Sequence, residues 1–238
     1  MSLSKITKYA AIGVGLVVFG EIYFECTMFI RKFLQLRDES KELNEVICTN
    51  SVLNYDSEFL RQIKFADERA LHVAEILKNL ILSARKTIHI AMYIFTSRIL
   101  ADALITAREN GVDIYLIIDH SMEAASNTQV HLLNKKGINV KVCHDNTLHH
   151  KFCLIDVPSK NKIFLPIKKT IANDKPRQVF IPNNGILING SLNWTQEGMT
   201  NNYENIIVTS NKAIIAGYID EFIKRWKSEK SRELNICQ

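Results

Sequence analysis

From residue 57 onward the apolar positions switch repeatedly between helical and strand spacing. Residues 57–85 place Leu71, Ala74, Leu77, Leu80 and Ile81 on one face at intervals of three and four, which predicts an amphipathic helix. Residues 87–95, TIHIAMYIF, read as a strand, and 98–110 as a helix closed by Gly111 at the position after its C-cap. Residues 112–119, VDIYLIID, form a near-continuous apolar run of the kind found inside a sheet covered on both faces. A helix over 127–136, ending at Gly137, and strands over 138–143, 150–155, 185–189 and 203–208 follow. Residues 212–227 predict a closing amphipathic helix. Strands alternating with helices argue an α/β fold, a mixed β-sheet sandwiched between helices. No internal repeat is visible.

Ahead of this body lies a different pattern. Residues 9–30, YAAIGVGLVVFGEIYFECTMFI, are apolar except for Glu21, Glu25 and Thr27. At about 1.5 Å per residue such a helix reaches across a hydrocarbon core of about 30 Å. Glu21 and Glu25 fall on one helical face, which would meet headgroups or another helix. No small-residue cleavage site follows the run, so an N-terminal transmembrane anchor is expected rather than a signal peptide. Lys5 and Lys8 precede it and Arg31, Lys32, Arg37 and Lys41 follow, which places the larger C-terminal part in the cytosol. The expected organisation is an anchor over 1–32, a linker over 33–56 and one catalytic domain over 57–238.

Composition narrows the class. Hydrophobic residues at 47% and charged residues at 23% exclude a disordered chain, and a mean hydropathy of −0.03 excludes a polytopic membrane protein. The net charge of +5 carries less weight than its location. All four prolines, together with Lys160, Lys162, Lys168, Lys169, Lys175 and Arg177 against Asp174 alone, lie within 157–184. The rest of the chain is formally neutral, so basicity here is a property of one inserted loop. Five cysteines, an odd number with no C-x-x-C pair, indicate reduced thiols rather than a disulfide framework.

Candidate chemistry gathers late in the chain. His149, Lys151 and Asp156 form an H-x-K-x4-D pattern in HHKFCLID. On a strand His149 and Lys151 would project from the same face, aiming a nucleophile or base and a fixed cation at one spot. His150 would point the other way. Gly190, Ser191 and Asn193, in GSLN, offer a hydroxyl and an amide suited to phosphate oxygens, with a glycine allowing close backbone approach. Glu204, in NYENIIV, supplies a carboxylate able to orient an imidazole. Asp156 stands at a strand end, where an aspartate also serves to hold a turn or a neighbouring strand.

The segments HHKFCLID, NGSLNWT and NYENIIV resemble the HKD motif of the phospholipase D superfamily. The single motif copy behind an apolar N-terminus is similar to its mitochondrial branch, typified by Zucchini and the mitochondrial cardiolipin hydrolases. The resemblance implies a phospholipase D-like half-domain and a phosphodiesterase with a phosphohistidine intermediate, needing no metal and no cofactor. It implies catalytic roles for His149, Lys151, Asp156, Asn193 and Glu204, with Lys151, Ser191 and Asn193 binding the phosphate, His149 as nucleophile and Glu204 as its partner. Two histidines are needed, one to attack phosphorus and one to protonate the leaving oxygen. A chain with one H-x-K supplies both only as a symmetric homodimer.

Two departures from the resembled family stand out. The interval from Asp156 to Gly190 is 33 residues, where the family keeps it short. The excess coincides with the proline- and lysine-rich stretch, which reads either as a basic loop suited to RNA or as retained non-coding sequence. Some relatives carry a Cys/His zinc module after the anchor; here only Cys48 and His72 lie in that region, too few for a closed site, so no structural zinc is expected. Three functions are open at this level. They are a single-strand endoribonuclease making germline small RNAs (piRNAs) at the mitochondrial outer membrane, a cardiolipin hydrolase producing phosphatidate, and a catalytically silent membrane scaffold. The intact His149, Lys151, Asn193 and Glu204 argue against the third.

Overall fold

In the computed structural model, residues 42–49, 72–158, 179 and 181–234 are described. An eight-stranded sheet in the order β1-β7-β6-β5-β2-β3-β4-β8 forms the centre. Its strands are β1 (Asn44–Cys48), β2 (Thr87–Met92), β3 (Asp113–Asp119) and β4 (Asn139–Cys143), then β5 (Lys151–Ile155), β6 (Ile186–Gly190), β7 (Asn205–Thr209) and β8 (Ser231–Glu233). β2, β3 and β4 run parallel and every other pairing is antiparallel, so the sheet is mixed as the alternating pattern predicts.

One face is covered by α1 (His72–Leu82), α2 (Arg98–Glu109) and the short α3 (Val130–Lys135). Leu77, Leu80 and Ile81 of α1 and Leu100 and Leu104 of α2 are fully buried there against Ile88, Ile90, Leu116 and Ile118. The opposite face is covered by α5 (Lys212–Trp226), whose stripe Ile215, Ile219, Phe222 and Trp226 packs on Phe152, Leu154 and Leu187. A stripe at intervals of three and four is what a single covering helix needs. His89 of β2 is buried on this side between the rings of Tyr115 and Phe222, 5.3 and 5.1 Å away, and burial pulls its pKa down to about 3. It therefore packs as a neutral aromatic.

The structure shortens several expected elements and adds others. The strand expected over 87–95 leaves the ladder after Met92, and only Phe95 pairs again, in a parallel bridge to Trp194. The helix expected over 127–136 contracts to Val130–Lys135: the Thr128 amide closes a turn on the Ala125 carbonyl and the Gln129 amide donates to the Phe95 carbonyl of a distant segment. The stretch expected as a linker, 33–56, contains β1, which pairs antiparallel with β7 at the edge of the sheet. β8 and the one-and-a-half-turn helix α4 (Gln196–Thr200) were not foreseen. Among the described residues no helix is long and apolar enough to cross a membrane, and the anchor expected over 9–30 lies outside them, as do most of 157–184.

Candidate active site

The topology decides where the chemistry gathers. With β2, β3 and β4 parallel and β5, β6 and β7 alternating in direction, the start of β5, the end of β6 and the start of β7 meet at the carboxyl edge of the parallel strands. That edge is where ligands bind in open α/β sheets. Lys151 opens β5, Ser191 and Asn193 follow β6, and Glu204 precedes β7. Four expected residues thus reach one rim from three segments, the first separated from the other two by the whole inserted loop.

His149 lies just before β5, not on it, so period-two alternation does not set its direction. It is nonetheless beside Lys151: the ammonium sits 3.4 Å from each imidazole nitrogen and donates to the His149 carbonyl at 3.1 Å. The segment 144–148 that carries His149 is held from below. Asp119, buried at the end of β3, accepts from the amides of Leu148 at 2.8 Å and Ser121 at 3.0 Å. Burial alone would raise the Asp119 pKa; hydrogen bonds from Ser121 and Leu148 and the nearby His120 outweigh it and hold the carboxyl below its ordinary range. Lys151 is half-buried, and desolvation lowers its pKa while the charge of Glu204 acts in the opposite sense.

The phosphate-binding candidates are tied to backbone. The Asn193 side-chain oxygen accepts from the Ile94 amide at 3.3 Å, and Trp194 takes the amides of Thr96 and Ser97 on its carbonyl. The Ser191 hydroxyl donates to the Glu204 carboxylate and accepts from the Asn205 amide at 3.1 Å. As a phosphate ligand it would turn that donor away from Glu204. Gly190 is required here: a Cβ would run into the Asn205 carbonyl of the adjoining strand.

Glu204 is anchored from an unexpected quarter. The buried hydroxyl of Thr49, at the end of β1, donates to the Asn202 carbonyl at 2.6 Å and accepts from the Glu204 amide at 2.7 Å. The Glu204 carboxylate bonds to Ser191 and to the Asn202 side-chain amide, the latter at 3.2 Å, so its hydrogen-bond partners here do not include the His149 imidazole.

Asp156 is not brought to this rim. It ends β5 at the opposite edge, buried, where its carboxylate accepts from the amides of Arg85, Lys86 and Thr87 and its own amide donates to the Thr87 carbonyl. Of the two roles open to it in the sequence, the geometry is that of a clamp on the start of β2.

Two residues to which the motif reading gave no role adjoin the site. The Tyr93 ring, directly after β2, lies 4.8 Å from the His149 ring and 5.3 Å from the Lys151 nitrogen. His150 shares with His149 the lining of a cleft of about 250 Å³, together with Cys143, Leu148, Glu221 and Arg225. Its Nε2 lies 3.3 Å from the Glu221 carboxylate, which also takes the Arg225 guanidinium at 2.9 Å. His150 therefore turns toward α5 yet opens on the same cleft as His149. Nothing in residues 87–95 marked Tyr93 as more than a strand position. Among the described residues no group of three or more His, Cys, Asp or Glu side chains could hold a metal ion.

A family model described as the cardiolipin synthase, phospholipase D-like domain matches residues 77–226. The chain belongs to the phospholipase D-like domain family. A mitochondrial cardiolipin hydrolase of Drosophila melanogaster is 33% identical over 158 residues, which is 66% of this chain and 59% of that relative. The chain thus spans about three fifths of that relative's length. Another, of Danio rerio, is 24% identical over 247 residues, covering 99% of this chain and 93% of the relative. Among solved structures, the phospholipase D family member Nuc from Salmonella typhimurium aligns with a TM-score of 0.55 at 19% identity, over 81% of this chain and 98% of that one. That likeness establishes the phospholipase D-like fold. The family suggested by HHKFCLID and GSLNWT is therefore shown, and within this domain its motif residues other than Asp156 occupy the carboxyl rim.

Proposed function

We propose that this phospholipase D-like domain hydrolyses phosphodiesters through a covalent phosphohistidine on His149, without a metal and as a homodimer. The observation that carries the reading is the meeting of His149, Lys151, Ser191, Asn193 and Glu204 at one rim from three separate segments. A ring nitrogen of His149 attacks phosphorus, and the P–O bond breaks with its electron pair leaving on oxygen. A second histidine, His149 of the other subunit, protonates that oxygen and then takes a proton from the water that releases the phosphoryl group. Lys151 and the Asn193 amide neutralise charge on the non-bridging oxygens. Glu204 sustains the Lys151 ammonium, and pairs with an imidazole if it exchanges Ser191 for it.

The preferred substrate is single-stranded RNA, cleaved for piRNA production at the mitochondrial outer membrane, with residues 9–30 as anchor and the domain in the cytosol. The lysines of 157–184 favour this polyanion. A second reading, hydrolysis of cardiolipin to phosphatidate, is favoured by relatives that bear the name mitochondrial cardiolipin hydrolase. The test offers the full chain labelled single-stranded RNA and cardiolipin liposomes side by side in EDTA. Turnover of one or both is expected in EDTA, falling at least ~10³-fold in His149→Ala with an unchanged circular dichroism spectrum. Activity lost on chelation and restored by Mg²⁺, or persisting in His149→Ala, would overturn the assignment.

A further inference from the structure

Among the described residues, Tyr93 is the one aromatic side chain in contact with both the expected nucleophile and the expected phosphate cation. Its ring centre lies 4.8 Å from the His149 ring, inclined at 46°, and the Lys151 nitrogen stands 5.3 Å over it. The backbone that carries the ring is held by two hydrogen bonds. The Tyr93 amide donates to the His150 carbonyl at 2.8 Å, and the next amide, of Ile94, donates to Asn193 at 3.3 Å. The same backbone segment that braces Asn193 and the start of β5 thus presents an aromatic face to His149 and Lys151.

An aromatic face is electron-rich and attracts cations within about 6 Å of its centre. Lys151 is such a cation in the resting enzyme. His149 becomes one during turnover: when one ring nitrogen bonds phosphorus while the other keeps its proton, the imidazole carries a positive charge. A contact that is weak with neutral imidazole and stronger with the charged ring favours the covalent intermediate and the transition state leading to it, which raises kcat rather than tightening substrate binding.

We propose that Tyr93 is a positioning residue for this reaction, whose ring face rather than its hydroxyl holds the Lys151 ammonium and stabilises phosphorylated His149. The inference rests on the reading of His149 as nucleophile. It makes the aromatic character of position 93 a requirement of the site, although no motif of the family resemblance included it.

The test replaces Tyr93 in the full chain with Phe and then with Phe carrying one, two and three ring fluorines, which drain the π face at nearly constant shape. The substrate is the chromogenic diester bis(p-nitrophenyl) phosphate, and melting temperatures are measured alongside. Tyr93→Phe should stay within about twofold of the parent, and kcat should then fall stepwise to about fivefold by the third fluorine with KM little changed. Tyr93→Leu should lose at least as much. A flat series, a loss already complete in Tyr93→Phe, or an effect confined to KM would each overturn the role. His149→Ala in the same assay separates the two ideas. If it is inactive while the series is flat, only Tyr93 is misassigned; if it stays active, the nucleophile is wrong.

Discussion

Lys151 is the residue at which burial and charge compete most directly. Desolvation destabilises its ammonium and the Glu204 carboxylate supports it, with burial the larger effect, so its proton leaves at a lower pH than from an exposed lysine. The charged form binds phosphate, hence activity is present below that pKa and lost as pH rises through it. The alkaline limb of kcat/KM, which reports the free enzyme, should therefore lie below the ordinary lysine range. Glu204→Gln removes the supporting charge and should move that limb lower still, which a pH-rate profile reads directly. A limb that stays in place would show that Glu204 does not act through Lys151. Lys151→Ala should lower kcat by about 10²–10³ with the fold intact, the scale for deleting one preorganised donor to a developing oxyanion. His149 and Lys151 were legible as residues because the chemistry of an imidazole and an ammonium two positions apart needs little context. The roles of Tyr93 and Thr49 were not, since each depends on a neighbour far along the chain.

At the scale of elements, β5 links the candidate active-site rim to the clamp at the opposite edge. Asp156 adopts φ 54, a left-handed conformation that aspartate tolerates better than most residues, and its carboxylate caps three successive amides at the start of β2. Asp156→Ala leaves those amides short of an acceptor and keeps an unfavourable backbone, so it should cost about 3 kcal/mol. For a domain of this size that is a fall of about 10 °C in melting temperature. Asp156→Asn keeps an acceptor and the backbone preference and should cost about 1 kcal/mol. Calorimetry with kcat measured on the folded fraction checks this: kcat within about twofold of the parent is expected for both. A catalytic loss larger than the loss of folded protein would return Asp156 to the reaction. The central strands were readable because each is an apolar run covered on both faces. β1 was missed because, as an edge strand, it exposes Asn44, Val46 and Cys48 and breaks that pattern.

The whole molecule contains one H-x-K per chain, and the proposed chemistry uses two histidines. If each centre takes His149 from both subunits, a dimer with one His149→Ala chain has a nucleophile or a general acid but never both. Co-expressing equal amounts of wild-type and His149→Ala chains leaves roughly a quarter of the dimers fully wild-type under random pairing. Activity per dimer should fall to about that fraction. A fall to one half would mean that each chain works alone, and the homodimer reading of the site would fail.

Local pattern determined a large part of this protein. Apolar runs, helix stripes and the glycines after helices specify most of the elements and the α/β class, because backbone periodicity and burial act over a few residues at a time. The motif words also specified the family. Tertiary structure alone decided which motif residues meet. Alternating strand direction carries Lys151 to the carboxyl rim and Asp156, five residues later, to the opposite edge, where it holds backbone instead of substrate. It also decided that β1 completes the sheet and supplies Thr49 to Glu204, and that Tyr93 lies beneath His149 and Lys151. These contacts join residues up to 165 positions apart, and no local periodicity encodes a pairing that exists only once the sheet has closed.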